Sequence, residues 1–275
     1  MNKSDPRTLI IYSLTIVIVL LLIIIKRMGE PDEKPDKSVK EIVKAPSDEE
    51  ASIQTLGEIG LIIDDFGYRN DDISDGFLYL DVNLTCAVIP GHAYSSSFGE
   101  KAVSRGHEVI VHMPMENMGE NRGEEEFVLR VGMTPDSIKN RVNNALDQIP
   151  EAIGMNNHQG SRATTDPGVM NSLAAVLKER NKFYIDSRTT PETVAESIMK
   201  DWGVPASRRN VFLDNEPDEE KITSQLFFLV EIAKRDGQAI GIGHVKQNTL
   251  DVLRKQIPEL KRKGFKFEFV SNMLY

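Results

Sequence analysis

Ile59-Gly60-Leu61-Ile62-Ile63-Asp64-Asp65-Phe66-Gly67-Tyr68 is an apolar run that ends on two adjacent carboxylates and a glycine. An uninterrupted aliphatic run of this length predicts a strand buried on both faces, the kind found in parallel sheets. Asp64 and Asp65 then stand just past its carboxyl end, where ligands and catalytic groups collect in α/β sheets and barrels. Two neighbouring carboxylates repel each other, so a metal ion, a proton or a cation must offset them. A strand-ending turn, with one Asp capping the next element, is the competing reading of this stretch alone.

The pattern recurs along the chain. Leu84-Thr85-Cys86-Ala87-Val88-Ile89 runs into Pro90-Gly91-His92, and His107-Glu108-Val109-Ile110-Val111 runs into His112. Ala152-Ile153-Gly154-Met155 meets Asn156-Asn157-His158, and Phe183-Tyr184-Ile185 meets Asp186-Ser187-Arg188. Val211-Phe212-Leu213 ends at Asp214-Asn215, and Ala239-Ile240-Gly241-Ile242-Gly243 at His244. Four of the five histidines lie at or just beyond such an end. A solvated surface would scatter them; this placement predicts one shared rim. The glycines before His244 are expected to let a ligand or backbone approach closely.

Helical patterns alternate with these strands. Residues 94–105 read as a helix with Ala102 and Val103 inward, closed by Gly106. Thr134-Pro135-Asp136 opens a helix with Ile138, Val142, Ala145, Leu146 and Ile149 on one face, stopped by Pro150. Asp166-Pro167 and Thr190-Pro191-Glu192 open two more, and 218–235 and 248–263 add another pair. Phe265-Lys266-Phe267-Glu268-Phe269-Val270 alternates as a closing strand. Seven or eight such units in about 215 residues predict a closed or nearly closed (β/α) barrel, with an open doubly wound sheet as runner-up. No Gly-rich phosphate loop follows any strand, so no nucleotide is expected.

Residues 8–25 are almost entirely aliphatic and uncharged, between Lys3 and Arg7 on one side and Lys26-Arg27 on the other. That length just suffices to cross a bilayer, and no small-x-small cleavage site follows. The expectation is an uncleaved single-pass signal anchor (1–27) in the cell membrane, with the large domain extracytoplasmic. Residues 28–57 are rich in Glu, Lys, Asp, Ser and Pro and read as a flexible charged linker. The folded domain is expected over 58–275. Net charge is −9, from 33 Lys+Arg against 42 Asp+Glu, which argues against a nucleic-acid partner. The single cysteine, Cys86, excludes an intramolecular disulfide and reads as a small core residue.

Gly106-His107-Glu108-Val109-Ile110-Val111-His112 resembles the second motif of NodB-type polysaccharide deacetylases (carbohydrate esterase family 4), in which Gly-His-Glu leads along a strand to a metal-binding His. Asp64-Asp65 resembles that family's first motif, where one Asp is the base and the next binds zinc. Asn156-Asn157-His158-Gln159-Gly160-Ser161-Arg162, Phe183-Tyr184-Ile185-Asp186-Ser187-Arg188-Thr189, Val211-Phe212-Leu213-Asp214-Asn215 and Gly241-Ile242-Gly243-His244 are closer to one branch, the divergent polysaccharide deacetylases. The resemblance spans the whole domain and implies a distorted (β/α)7–8 barrel of the NodB type. The parent family places a second metal His four residues after the first; here Glu116 stands there. Its Arg-Pro-Pro motif is replaced by Asn156-Asn157-His158.

Carboxylate and imidazole suit zinc, which takes three protein ligands and keeps one position open. Asp65, His112 and His158 would supply them, with Glu116 either replacing His158 or orienting His112. Asp64 would be the base and His244 the acid that protonates the leaving group. Asn156, Arg162, Asp186, Arg188 and Asp214 would contact substrate, although Arg162, Arg188 and Asp186 could equally pair with one another as a rim salt bridge. His107, at the start of a strand, is expected to be structural, and His92 to line the groove. The implied function is a membrane-anchored, metal-dependent hydrolase that removes acetyl or other acyl groups, from C–N or ester bonds, on a cell-envelope polysaccharide or oligosaccharide. The alternative is a non-catalytic glycan-binding or scaffolding protein on the same fold. A barrel phosphodiesterase is disfavoured by the few basic residues near the rim.

Overall fold

The computed structural model describes residues 55–119 and 123–274. The membrane span expected at 8–25 and nearly all of the linker expected at 28–57 lie outside the described residues. Among those described, no helix is long and apolar enough to cross a membrane.

Among the described residues, nine strands form one sheet: β1 Gly57–Phe66, β2 Thr85–Val88, β3 Glu108–Met115, β4 Gly154–Gln159, β5 Phe183–Asp186, β6 Ala206–Arg208, β7 Val211–Phe212, β8 Gln238–His244 and β9 Phe265–Glu268. Every pairing is parallel, in the order β6-β5-β4-β3-β2-β1-β8-β7, with β9 added on β1. The two outer strands, β6 and β7, are consecutive in the chain, separated by Arg209 and Asn210. Arg209 N donates to Asp186 O on β5, and Asn210 N donates to Ile240 O on β8. One short segment therefore spans both edges, so the sheet is curled into a barrel-like form rather than open. The doubly wound alternative is thereby corrected. β9 pairs with the first half of β1 and β2 with the second half, so β9 wedges the foot of the β1–β2 seam.

Among the described residues, seven α-helices cover the outside: α1 Asp72–Leu78, α2 Ser95–Ser104, α3 Pro135–Gln148, α4 Pro167–Glu179, α5 Ala195–Asp201, α6 Glu219–Asp236 and α7 Gln247–Arg262. Their starts follow local chemistry. Thr134, Asp166 and Asp218 accept from the first-turn amides of α3, α4 and α6, and a proline opens the first two of these. Helix α1 was not foreseen; Asp71 and Ser74 form its reciprocal cap. The helix expected from Thr190-Pro191 begins only at Ala195. Thr190 first closes a turn onto Glu192, and Thr193 then accepts from Ala195 N. On α2 Ala102 is buried but Val103 is 46% exposed, correcting its expected inward placement.

Strand alternation sorts the side chains. One set faces the helices in the large outer core. The other points into the barrel, where Ile62, Ala87, Ile110, Phe183, Ile185, Ile240 and Ile242 pack over Val270 and Met273. Cys86 is fully buried in the outer core, as expected of a small core residue. Gly154 belongs to the inner set, and a Cβ there would lie about 2.5 Å from the Phe183 ring. Gly154→Ala is therefore expected to cost roughly 1–3 kcal/mol through overpacking, read as a lower denaturant midpoint. An unchanged midpoint would show that the ring can step aside.

Candidate active site

Following the inner set upward, apolar layers give way to a polar one at the carboxyl end. Ile62 is followed on the same face by Asp64, Ile110 by His112, Ile242 by His244, and Gly154 by Asn156 and His158. Register makes these a layer: Asp64 is the cross-strand neighbour of His244, and His112 that of Asn156. Alternation alone would turn Asp65 outward. The β1–β2 register breaks between Ile63 and Phe66, and Asp65 adopts φ 70°, a left-handed conformation that Asp tolerates better than most residues. This bulge brings its carboxylate into the same site.

Asp65 Oδ1, His112 Nε2 and His158 Nδ1 form a small triangle. The carboxylate oxygen is 3.4 Å from each ring nitrogen, and the nitrogens are 3.1 Å apart. Ligand atoms around one tetrahedral ion at about 2.1 Å would sit roughly 3.4 Å apart, so the triangle has the right size for zinc. Asp65 Oδ1 is buried and accepts no hydrogen bond. A buried carboxylate oxygen without a donor, facing two imidazole nitrogens, fits a cation. Asp65, His112 and His158 are also the one group of potential metal ligands of this kind among the described residues.

Asn156 sets the tautomer of His112. Its Nδ2 donates to Asp64 Oδ1 at 2.8 Å, and its Oδ1 accepts from His112 Nδ1 at 2.7 Å. Turning the amide over would set its oxygen against the Asp64 carboxylate. The orientation is thus fixed by charge, His112 donates through Nδ1, and Nε2 is turned toward Asp65, where a proton or a cation can occupy it. Burial works against a charge on His112, but Asp64 and Asp65 outweigh it and raise its pKa to about 9. Asp64 is almost fully buried, and that burial raises its pKa against the opposing pull of His112, His244 and Asn156. For Asp65 burial is outweighed by His112 and His158, and its pKa falls well below the usual carboxylate range.

Across the rim His244 Nδ1 donates to Asp214 Oδ1 at 2.8 Å. Asp214 Oδ2 accepts from the His244 amide at 2.8 Å and from Thr249 Oγ1 at 2.7 Å. The ring is fixed with Nδ1 protonated, and it lines the same cavity as Asp64, His112 and His158, of about 350 Å³. Burial lowers the His244 pKa, but the hydrogen bond to Asp214 and the charge of Asp64 more than reverse this, so it is raised. Asp214 is itself shielded by burial, yet His244 and Thr249 hold its pKa below the ordinary value.

The remaining expected residues fall in several places. Glu116 is apart from the triangle: its Oε2 accepts from Val131 N at 2.8 Å and its Oε1 pairs with Arg162 at 3.2 Å. Arg162 therefore pairs with Glu116 rather than with Asp186. Asp186 is buried and turned into its own loop, accepting from Arg188 N at 2.8 Å and Thr193 Oγ1 at 2.9 Å. Arg188 lines the cavity. His107 Nε2 lies 3.0 Å from Leu78 O at the foot of the barrel, a structural contact. His92 contacts Glu124 Oε1 at 2.7 Å and packs on Tyr68. Gly241 and Gly243 face outward: a Cβ would meet Leu229 at 2.6 Å and Thr249 at 3.0 Å. Those glycines serve close helix packing, not the approach of a ligand.

Sequence reasoning missed Arg209, Phe212 and Ser187. Phe212 stands between Arg209, whose guanidinium lies 4.9 Å over its ring, and His244 at 5.1 Å. It missed the role of Asn157 too, whose Oδ1 accepts from Tyr184 Oη and Ser187 N and so anchors the β5 loop.

A model of the family described as divergent polysaccharide deacetylase matches residues 61–274. An uncharacterized protein of Haemophilus influenzae is 35% identical over 205 residues, covering 74% of this chain and 72% of its own length. The crystal structure of the uncharacterized protein ATU2773 from Agrobacterium tumefaciens superposes with a TM-score of 0.74 at 20% identity, over 79% of this chain and 89% of that one. The catalytic domain of peptidoglycan N-acetylglucosamine deacetylase from Eubacterium rectale superposes at 0.53 and 15% identity, over 78% and 88%. These two likenesses show a shared fold.

Proposed function

Because this chain belongs to the divergent polysaccharide deacetylase family, we propose that its rim is the active centre of a divalent-metal-dependent hydrolase that removes acyl groups from a cell-envelope glycan. The observation that carries this reading is the Asp65–His112–His158 triangle with its donorless buried carboxylate oxygen. A divalent cation held there, most suitably zinc, supplies Lewis acidity toward an acyl carbonyl and toward water. The chain's own residues do the rest. Asn156 holds His112 with its lone pair outward. Asp64, steadied by the Asn156 amide, takes a proton from the attacking water. His244, with Nδ1 tied to Asp214, presents Nε2 as the acid that protonates the departing nitrogen or oxygen. Arg188 in the cavity wall would contact the glycan. The acyl-group class is supported by the family and by the deacetylase among the structural neighbours.

His112 should make metal binding depend on pH. With its pKa near 9, a proton and the cation compete for Nε2 at lower pH. Apparent affinity is expected to rise about tenfold per pH unit toward pH 9 and then level off. Metal titrations between pH 6 and 9.5 check this, and an affinity flat across that range would contradict it.

A binding or scaffolding role is favoured by one contact, His158 Nδ1 to His112 Nε2 at 3.1 Å, which could close as a direct hydrogen bond. Acetate release from acetylated glycan oligomers separates the two readings: release above the buffer rate supports the hydrolase. The apolar run at 8–25 supports placing the protein in the cell membrane as a single-pass anchor with the domain outside. The protein is expected to fractionate with membranes and keep its N-terminus. A mature N-terminus beyond Arg27 would contradict the anchor.

A further inference from the structure

The cavity has a second wall to which the hydrolytic reading assigns no more than a contact of Arg188 with the glycan. Arg188 and Arg209 both line it, and neither has a carboxylate within salt-bridge distance among the described residues. They stand close together: Arg209 Nη2 donates to the backbone oxygen of Arg188 at 2.8 Å, and its Nε to that of Ser187 at 2.7 Å. The guanidinium is thus fixed by carbonyls and by the Phe212 ring, with Nη1 bonded to nothing described. Ser187, 6% exposed and also on the cavity, has a buried Oγ without a hydrogen-bond partner. Elsewhere Arg69, Arg130, Arg162, Arg180, Arg208 and Arg235 each pair with a carboxylate, whereas Arg105 stacks on Tyr79 and Arg141 binds backbone oxygens away from this cavity. Two neighbouring like charges and an unsatisfied hydroxyl on one wall call for an anion with several acceptor oxygens.

We propose that Ser187, Arg188 and Arg209 form a carboxylate-binding subsite, so that the glycan carries a carboxylate on the sugar bearing the acyl group or on its neighbour. This rests on the reading of the cavity as a glycan site. Planar guanidinium groups match carboxylates with paired hydrogen bonds, and the Ser187 hydroxyl adds a donor. The subsite then selects acidic glycans over neutral ones of the same backbone.

The test compares an acetylated oligosaccharide containing a uronic acid with the same compound after its carboxylate is reduced to the alcohol. Binding is measured by calorimetry, with acetate release followed in parallel. The acidic form should bind ~10- to 100-fold tighter, the usual worth of charge-assisted hydrogen bonds. R209Q should erase most of that preference. Should R209Q disturb the loop its carbonyl contacts hold, R188Q remains, because only the Arg188 backbone is tied down. Equal affinity of the wild type for both forms overturns the proposal, as does a preference unchanged in R188Q and R209Q. A preference for the acidic form without acetate release from either would sink the hydrolase and keep the subsite. Release from both at equal efficiency would do the reverse.

Discussion

His244→Ala is expected to keep its fold and its metal and to lose turnover by ~100- to 10,000-fold, the usual worth of a positioned acid. His244 is no member of the Asp65–His112–His158 triangle, and its own anchor is Asp214. The loss should shrink on acylated aryl esters, whose leaving anions need no proton. Because the His244 pKa is raised, the acid form should persist to higher pH than that of an ordinary imidazole. The rate should fall only as pH rises through that value, and this alkaline limb should vanish in the mutant. Zinc content and turnover measured on the same preparation check the assignment. Metal lost together with rate would make His244 a ligand; an affinity change without any rate to lose would favour a binder.

The second large effect belongs to the triangle. Asp65→Asn and His112→Ala should each bring metal content from about one equivalent to near zero and turnover to the buffer rate. Asn is chosen at 65 because it tolerates the left-handed backbone there while removing the charge. His107→Ala serves as the contrast. Its imidazole contacts Leu78 O at the foot of the barrel, so it should keep metal and lose roughly 1–3 kcal/mol of stability. Full metal occupancy in His112→Ala, measured by elemental analysis, would contradict the assignment.

Much of this rim is legible in the sequence because apolar runs of three to six residues stop abruptly at Asp, His or Asn. Strand alternation then turns Asp64, His112, Asn156 and His244 to one face, and the parallel register brings them level as one layer. Asp65 is different: its inward turn depends on a bulge, which composition does not announce. Arg209 and Phe212 were hidden because β6 and β7 are only three and two residues long, too short for a periodic signal. Their importance comes from closure of the sheet, a long-range event. Glu116 was misleading because motif spacing put it near the metal, whereas the β3 end turns it toward Val131 and Arg162. Asp186 looked available at a strand end, but its own loop amide and Thr193 already occupy both oxygens. Gly241 and Gly243 similarly reflect helix contact on the outer face, which a local pattern cannot distinguish from room for a ligand.

The central claim is that Asp65, His112 and His158 hold one divalent cation on which hydrolysis depends. It is tested most directly by stripping the purified protein with a chelator and titrating zinc back while following acetate release from an acetylated envelope-type oligosaccharide. The account predicts activity that vanishes on stripping and returns in full at one equivalent of metal. Release no faster than in buffer at every zinc level, and with other divalent metals in its place, would contradict it.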